Sequence, residues 1–171
     1  MIAESANYLD RIEDLRSQVS GLVADLPTEA LNWRPLEGKG DHATNSLAIL
    51  AVHITGAEHF WIAEVIGNRP KTRDRDAEFT AVATSASELI HLLEKNAVET
   101  REMFSTLTES ELNGTRQTRG RTVAVRWCVL HVIDHTSLHL GHMQITYQLW
   151  SGGKGIASPP WFELLPANQG S

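Results

Sequence analysis

The chain has 171 residues, 15 basic and 21 acidic side chains, a net charge of −6 with histidine neutral, and one cysteine. Its length suits a single domain, residues 1–171, with one hydrophobic core. The acidic balance, with no run of basic residues, argues against binding to a nucleic-acid backbone. The lone Cys128 excludes an internal disulfide framework and favours a reducing, cytoplasmic setting.

Neither a secretion signal nor a membrane span is predicted. The N-terminal segment carries charges at Glu4, Asp10 and Arg11, where a signal peptide would have its apolar run. Longer apolar stretches further along are interrupted by His, Glu or Arg. We therefore expect no membrane partner.

Hydrophobic periodicity predicts two long helices in the first part of the chain. The first covers about residues 5–26, has apolar residues three or four positions apart, and stops at Pro27. The second covers about residues 45–67, with Asn45 or Ser46 as its N-cap. Because it is apolar around most of its circumference, it is predicted to be the most buried helix.

Two further helices are predicted, at about residues 85–107 and 123–150, the last closed by Gly152 and Gly153. Polar connectors separate the four helices, and no alternating run long enough for a sheet is found. The tail, residues 151–171, is expected to be extended and partly packed by Trp161 and Phe162. The sequence thus predicts an all-α four-helix bundle, in which the long second and third connectors favour a crossover connection.

Histidine is the unusual feature of the composition. Four of the eight histidines fall within twelve residues of the last helix: His131, His135, His139 and His142. At about 100° per residue they span only about 80° of the helix circumference. The same stripe holds mostly apolar side chains: Trp127, Cys128, Val132, Leu138, Ile145 and Leu149. The four histidines are therefore expected to point into the bundle.

A shared metal ion would satisfy several buried imidazoles at once. His53 of the second helix lies between apolar residues on its inward face, whereas His59 falls toward the outer side. A pair of histidines four positions apart, joined by a third from another helix, can hold a zinc-like ion and leave one position open. Spacing leaves two such pairs, because His135 pairs equally well with His131 or His139. Core histidines without any metal are the alternative.

Several segments resemble the DinB/YfiT-like superfamily of metal-binding helical bundles. They are Asn45-Ser46-Leu47 through His53, then Glu58 and Trp61, and finally His135-Thr136-Ser137-Leu138-His139-Leu140-Gly141. The similarity covers nearly the whole chain, including Trp33-Arg34-Pro35. The resemblance implies a four-helix bundle with an unusual crossover order and frequent dimer formation.

The resemblance also selects metal ligands, namely His53, His135 and His139. The family usually has Gln where this chain has His142, for which we expect a supporting or acid/base role beside the ligands. His131 is assigned to a core hydrogen bond, and His42 and His91 to the surface.

Other residues have weaker claims on the site. Glu58 and Asp134 can orient a ligand imidazole, although a solvated carboxylate is the expected state of each. Cys128 lies about two turns from His135 and is interpreted as a small core residue.

The predicted site suits three functions. Characterised DinB-like relatives use low-molecular-weight thiols, so the resemblance implies a metal-dependent thiol transferase or isomerase acting on a small-molecule substrate. Arg116, Arg119 and Arg121 are then expected to meet carboxylates of the thiol or substrate. A metal-dependent hydrolase and a non-enzymatic, metal-binding stress or damage-response protein are the alternatives. Imidazole ligands suit zinc, nickel, iron or copper.

Overall fold

The computed structural model describes residues 1–36 and 44–155. Along the chain its elements are α1 (Ala3–Val23), α2 (Thr28–Asn32), α3 (Leu47–His59) with a π-helical extension (Phe60–Ile66), α4 (Arg75–Glu78), α5 (Ala86–Thr106), α6 (Glu109–Leu112), β1 (Thr115–Thr118), β2 (Arg121–Ala124) and α7 (Val125–Trp150). The predicted all-α fold is confirmed. His42, Trp161 and Phe162 lie outside the described residues.

The long helices α1, α3, α5 and α7 form a bundle whose consecutive members are not all neighbours. Helix α1 packs on α5 and α7, and α3 packs on the same two helices. Helices α1 and α3 therefore face each other diagonally, as do α5 and α7. The chain crosses the bundle end twice, once between α1 and α3 and once between α5 and α7.

Cross-helix contacts fix the directions of the helices. Arg126 at the start of α7 pairs with Glu4 at the start of α1, so these two helices run parallel. Thr28, just after α1, donates to the carbonyl of Thr84, just before α5, so α1 and α5 run antiparallel. His53 of α3 contacts His135 of α7. Trp61 follows His53 in the chain but contacts Trp127, which precedes His135, so α3 and α7 also run antiparallel.

The linker between α3 and α5 is long because the helices that it joins are parallel neighbours. The chain must return along the bundle from Ile66 to Ala86, and on the way it forms the short α4. The Asp74 side chain caps α4 by accepting from Ala77 N. Buried Glu64 accepts from the backbone N–H groups of Thr72 and Arg73. The linker is thus held against α3 and delivers α4 to its side.

Helix α3 is the core helix that the sequence predicts. It begins after Ser46, whose hydroxyl accepts from Ile49 N, and its extension ends at Gly67. By length and composition, Leu47–Ile66 would be able to cross a membrane, but 78% of its most apolar window is buried inside the bundle. Burial on nearly all sides explains why its polarity lacks a clear period.

All three connectors contain structure that the sequence analysis missed. The first holds the one-turn helix α2, the second holds α4, and the third begins with α6. The third contains an antiparallel hairpin in which Thr115 faces Ala124 and Thr118 faces Arg121. Its two-residue turn, Arg119-Gly120, has positive φ at both positions, as a type I′ turn requires. The strands are too short to show an alternating pattern.

Candidate metal centre

The antiparallel packing of α3 on α7 brings three histidines to one point. His53 comes from the middle of α3 and is 5% exposed, while His135 and His139 come from successive turns of α7 and are half-buried. Each offers a ring nitrogen within 4.8 Å of those of the other two, which makes the group able to hold a metal ion. The structure thus brings together the three residues that the sequence predicted as ligands.

These three residues are called the histidine cluster below. The ring of His139 lies edge to face with the other two rings, which are tilted at 56° to each other. The ring centroids are 4.9 Å apart for His53 and His135, 5.0 Å for His53 and His139, and 4.4 Å for His135 and His139. The Nε2 atoms of His53 and His135 are 3.1 Å apart. Two nitrogens that bind one ion tetrahedrally at about 2.0 to 2.1 Å lie about 3.3 Å apart. The separation therefore suits two nitrogens that share an ion.

Glu78 of α4 fixes the orientation of His53. Its Oε2 accepts from His53 Nδ1 at 2.7 Å, and Arg73 donates to both carboxylate oxygens, from Nε at 2.6 Å and Nη2 at 2.9 Å. Although burial opposes ionisation, the bonds from Arg73 and His53 keep the pKa of Glu78 below its ordinary value. An ionised carboxylate can only accept, so Nδ1 carries the proton and Nε2 directs its lone pair into the cluster.

Gly56 makes room for Glu78. A Cβ atom at this position would lie 2.2 Å from Glu78 Oε1 and 2.8 Å from its Cδ. Gly56 is one turn beyond Val52 on the face of α3 that α4 covers. Phe79, which follows α4, adds a ring contact with His53 at 4.8 Å. A glycine in α3 and the linker together therefore place the carboxylate that orients His53.

Sequence reasoning missed Glu78 and proposed two other carboxylates. Glu58 is buried rather than solvated: it accepts from Arg16 and from Thr100, both at 2.5 Å, and so joins α1, α3 and α5. Asp134 is exposed, as expected of a solvated carboxylate. The sequence shows Glu78 only as an acidic residue in a linker that is long enough to return along α3. It does not show which residue of α3 this carboxylate contacts.

Burial holds the α7 histidines in the neutral form. Together with the neighbouring histidine rings and Arg73, it lowers the pKa of His135 to about 3. Burial and the rings of His53 and His142 lower the pKa of His139 to about 4. Both imidazoles therefore keep a free lone pair at neutral pH, which is the form that binds metal.

His135 has an unmet hydrogen-bonding requirement. Because His53 Nε2 carries a lone pair, the 3.1 Å contact requires His135 Nε2 to donate. His135 Nδ1 then keeps a lone pair that is buried and has no partner among the described residues. A cation between the two rings would replace that hydrogen bond and let both Nε2 lone pairs point inward, with the proton of His135 then on Nδ1. This donor set fits a divalent transition metal ion.

His142 supports His139 much as Glu78 supports His53. It is exposed, and its Nδ1 lies 3.3 Å from Nδ1 of His139. With that contact on Nδ1, the Nε2 atom of His139 stays available to a ligand. The supporting position predicted for His142 matches this contact, while its chemical role stays a prediction.

His131 differs from its prediction as a core residue with a hydrogen bond. The His131 ring stacks on Trp127, with centroids 4.8 Å apart and planes 5° from parallel. The Trp61 ring also contacts His131, with centroids 5.3 Å apart. Within residues 1–36 and 44–155 it makes no hydrogen bond. Burial lowers the pKa of His131. It extends the row of histidine rings toward the start of α7 and lies outside the group of three.

The predicted inward stripe of α7 is only partly correct. Cys128 and Val132 are buried, but Trp127, Leu138, Ile145 and Leu149 are 48 to 59% exposed. The buried face lies about a quarter turn away, where Thr136, Leu140 and Met143 pack. The histidines therefore lie along the edge of the core, which leaves the cluster half-open to ligands.

The arginines expected at the pocket mouth have other contacts. Arg116 Nε donates to the Ile66 carbonyl at 3.0 Å, and the Arg119 guanidinium lies over the Phe60 ring at 4.6 Å. Arg121 is exposed. All three belong to the hairpin, which lies against the extension of α3, about two to four turns beyond His53. Cys128 is fully buried, and burial raises its pKa to about 11.

The other two described histidines, His59 and His91, stand apart from the histidine cluster. His59 contacts Glu99 at 2.6 Å and Thr72 at 2.9 Å, on the side of α3 that faces α5. His91 is exposed, as predicted. The residues that contact His59 fasten the linker to α5, so its role is structural.

Fold and cluster define a class: helical bundles with three histidines that can hold a divalent metal ion. The family model of the DinB superfamily matches residues 11–143. The chain therefore belongs to the DinB superfamily.

Individual relatives agree with this assignment. The chain is 27% identical over 117 residues to the uncharacterised protein YkkA of Bacillus subtilis (strain 168), covering 62% of this chain and 67% of YkkA. A DinB-like protein from Bacillus cereus ATCC 10987 shares the fold with a TM-score of 0.69 at 20% identity, over 88% of this chain and 95% of that one. The DinB-like YjoA from Bacillus subtilis does so with 0.67 at 16%, over 88% and 96%.

A conserved protein from Enterococcus faecalis has the same fold, with a TM-score of 0.70 at 13% identity over 89% of this chain and 99% of the other. At these identities the solved structures establish the fold alone.

Proposed function

We propose that the protein binds one divalent transition metal ion through His53, His135 and His139 and activates a low-molecular-weight thiol for transfer to a small electrophile. The observation that carries the proposal is the convergence of three imidazoles, with ring nitrogens within 4.8 Å of one another, at the half-open edge of the core. Three ligands leave room in the coordination shell for a substrate.

Each residue has a definable task in this proposal. Glu78 holds the proton on His53 Nδ1, which keeps Nε2 a lone-pair donor. His142 contacts Nδ1 of His139 and holds that ring in place from the solvent side. An ion bound there supplies Lewis acidity and stabilises the thiolate form of a bound thiol. The chain therefore needs no nucleophile of its own, and its cysteine is buried away from the site.

Elemental analysis of protein purified without an affinity tag or chelator tests the metal site. We expect near-stoichiometric zinc, nickel or iron in the parent protein and loss of that metal in His53→Ala/His135→Ala. His59→Ala is the matched control, because His59 lies on α3 but outside the cluster. Equal metal loss in His59→Ala, or metal-free parent protein after reconstitution with each ion, contradicts the proposal.

The activity is tested with mycothiol, bacillithiol and glutathione against a chromogenic electrophile such as 1-chloro-2,4-dinitrobenzene. Turnover is expected in the metal-loaded parent and not in the double variant. Metal-dependent hydrolysis of p-nitrophenyl acetate without thiol transfer would favour the hydrolase alternative. Bound metal with neither activity would favour the non-enzymatic stress or damage-response protein.

Two predictions about the cellular form of the protein accompany this proposal. A cytoplasmic setting suits a thiol cosubstrate, because low-molecular-weight thiols stay reduced there. Homodimer formation is expected from the family, and sedimentation analysis of the untagged protein tests it.

A further inference from the structure

A cavity of about 620 Å³ opens beside His142, between the described residues of the loop after α2 and the last turns of α7. Its walls include Trp33, Pro35 and Leu36 from the loop and His142, Ile145 and Leu149 from α7. This volume falls in the range of about 300 to 1,000 Å³ that is typical of small-molecule sites. We call it the apolar cavity.

The described walls of the apolar cavity are uncharged apart from the titratable His142. Among its described lining residues there is no Lys, Arg, Asp or Glu, and the polar groups come from Thr44, Asn45 and Thr146. The described walls therefore favour an uncharged, apolar ligand body, because a charged group placed against them would lose its hydration without gaining a partner from them.

His142 connects the apolar cavity to the histidine cluster. It lines the cavity, and its Nδ1 contacts Nδ1 of His139. Ile145 is six positions after His139 on α7, about 9 Å along the axis. A ligand whose donor atom lies at the histidine cluster would therefore need a chain of about 9 Å to reach Ile145.

From this geometry we propose that the substrate is amphiphilic: one donor group reaches the histidine cluster, and an uncharged alkyl or aryl body occupies the apolar cavity. The inference rests on the proposed metal function and names the substrate class of the same site. Leu36, Ile145 and Leu149 are between 58 and 64% exposed, so the apolar body of a ligand can reach them from solvent.

The test is the dependence of affinity on chain length. Straight-chain thiols from ethanethiol to octanethiol are titrated into the cobalt-loaded protein, and the visible spectrum of the cobalt follows binding. Each methylene that enters the cavity is expected to tighten binding about fourfold, which corresponds to about 0.8 kcal/mol. A series in which octanethiol binds no tighter than ethanethiol overturns the inference.

Two variants locate the apolar body. Ile145→Glu and Leu149→Glu are expected to abolish the chain-length dependence while leaving ethanethiol affinity and cobalt content unchanged. Leu138→Glu is the matched control, since Leu138 is 59% exposed on the same helix but does not line the cavity. Circular dichroism melts check that each variant is folded, and Ile145→Ser replaces Ile145→Glu if that variant is not.

Each other result has a definite meaning. Equal loss in Leu138→Glu places the alkyl chain on the outer face of α7 and refutes the cavity. If Ile145→Glu halves the molecular mass in solution without changing octanethiol affinity, the surface is an interface with a second copy, which also refutes it.

Binding of 1-octanol to metal-free protein, monitored by Trp33 fluorescence with Trp33→Phe as control, tests the cavity alone. Octanol binding without any metal uptake would reject the proposed function and keep the apolar site. Metal uptake without octanol binding would reject the cavity and keep the proposed function.

Discussion

Gly56→Ala is the sharpest perturbation of the proposed metal site, because it acts on a ligand through another residue. The new Cβ would lie 2.2 Å from Glu78 Oε1, and an ordinary contact needs about 3.4 Å. The carboxylate must therefore withdraw by about 1 Å. That movement breaks the 2.7 Å bond to His53 Nδ1 and the 2.6 Å bond to Arg73 Nε.

The expected magnitude follows from the loss of the carboxylate partner of a ligand. Such a loss weakens metal affinity by about 10- to 100-fold, or about 1.4 to 2.7 kcal/mol. A competition titration of zinc against a chromophoric chelator measures it. Gly141→Ala is the control: it lies two residues from His139, a Cβ there meets nothing within 4 Å, and helix propensity predicts a gain of up to about 1 kcal/mol in stability with unchanged affinity.

A double-mutant cycle separates this mechanism from a general distortion of α3. In a Glu78→Ala background the clash is gone, so Gly56→Ala is expected to cost nothing further in zinc affinity. Unchanged affinity in Gly56→Ala, or additive losses in the double variant, would refute the role assigned to Glu78.

Three further predictions concern pH, the core and the cysteine. Folding lowers the pKa values of His135 and His139 from 6.5 to about 3 and 4, so these histidines take up protons in the unfolded chain at a higher pH than in the folded protein. The urea midpoint of the metal-free protein should therefore be highest above pH 6.5 and fall toward pH 4. The fall should be less steep in a variant with both histidines replaced by Ala. Equal slopes would contradict this. Arg16→Ala leaves Glu58 buried without its cation and should cost about 3 to 5 kcal/mol in urea unfolding, whereas Arg16→Met/Glu58→Leu should recover most of the loss without changing zinc affinity. Cys128 is buried with a raised pKa, so its reaction with a thiol reagent should follow the unfolding rate, and rapid labelling of the native protein would argue otherwise.

The secondary structure was readable where local signals agree. Ser46 and Gly67 mark the ends of the core helix because a cap hydroxyl and a glycine act within one turn. The hairpin was not predicted because the Arg119-Gly120 turn is its only local signal in the sequence. Pairing between two four-residue strands is a tertiary contact that no periodicity records.

For the candidate site, the sequence predicted the ligand residues but not the residues that surround them. His135 and His139 are one turn apart on one helix, so their proximity is a local property. The predicted burial of Leu138 and Ile145 was wrong. Helical angles show which side chains share a face of a helix, but they do not show which face is directed toward the core. The direction of the core depends on where α1, α3 and α5 pack against α7.

The sequence by itself determined the helical class and the unusual row of histidines, since these depend on composition and on spacing within single helices. Spacing left His131 and His139 as alternative partners of His135, and the resemblance to the DinB/YfiT-like superfamily selected the candidate ligand set. Only the tertiary structure decided that Glu78, rather than Glu58, orients His53, and that an apolar cavity adjoins His142. Both depend on how far the linker returns along α3 and on which helices lie diagonally. Those distances are set by packing between segments remote in sequence, which no local pattern encodes.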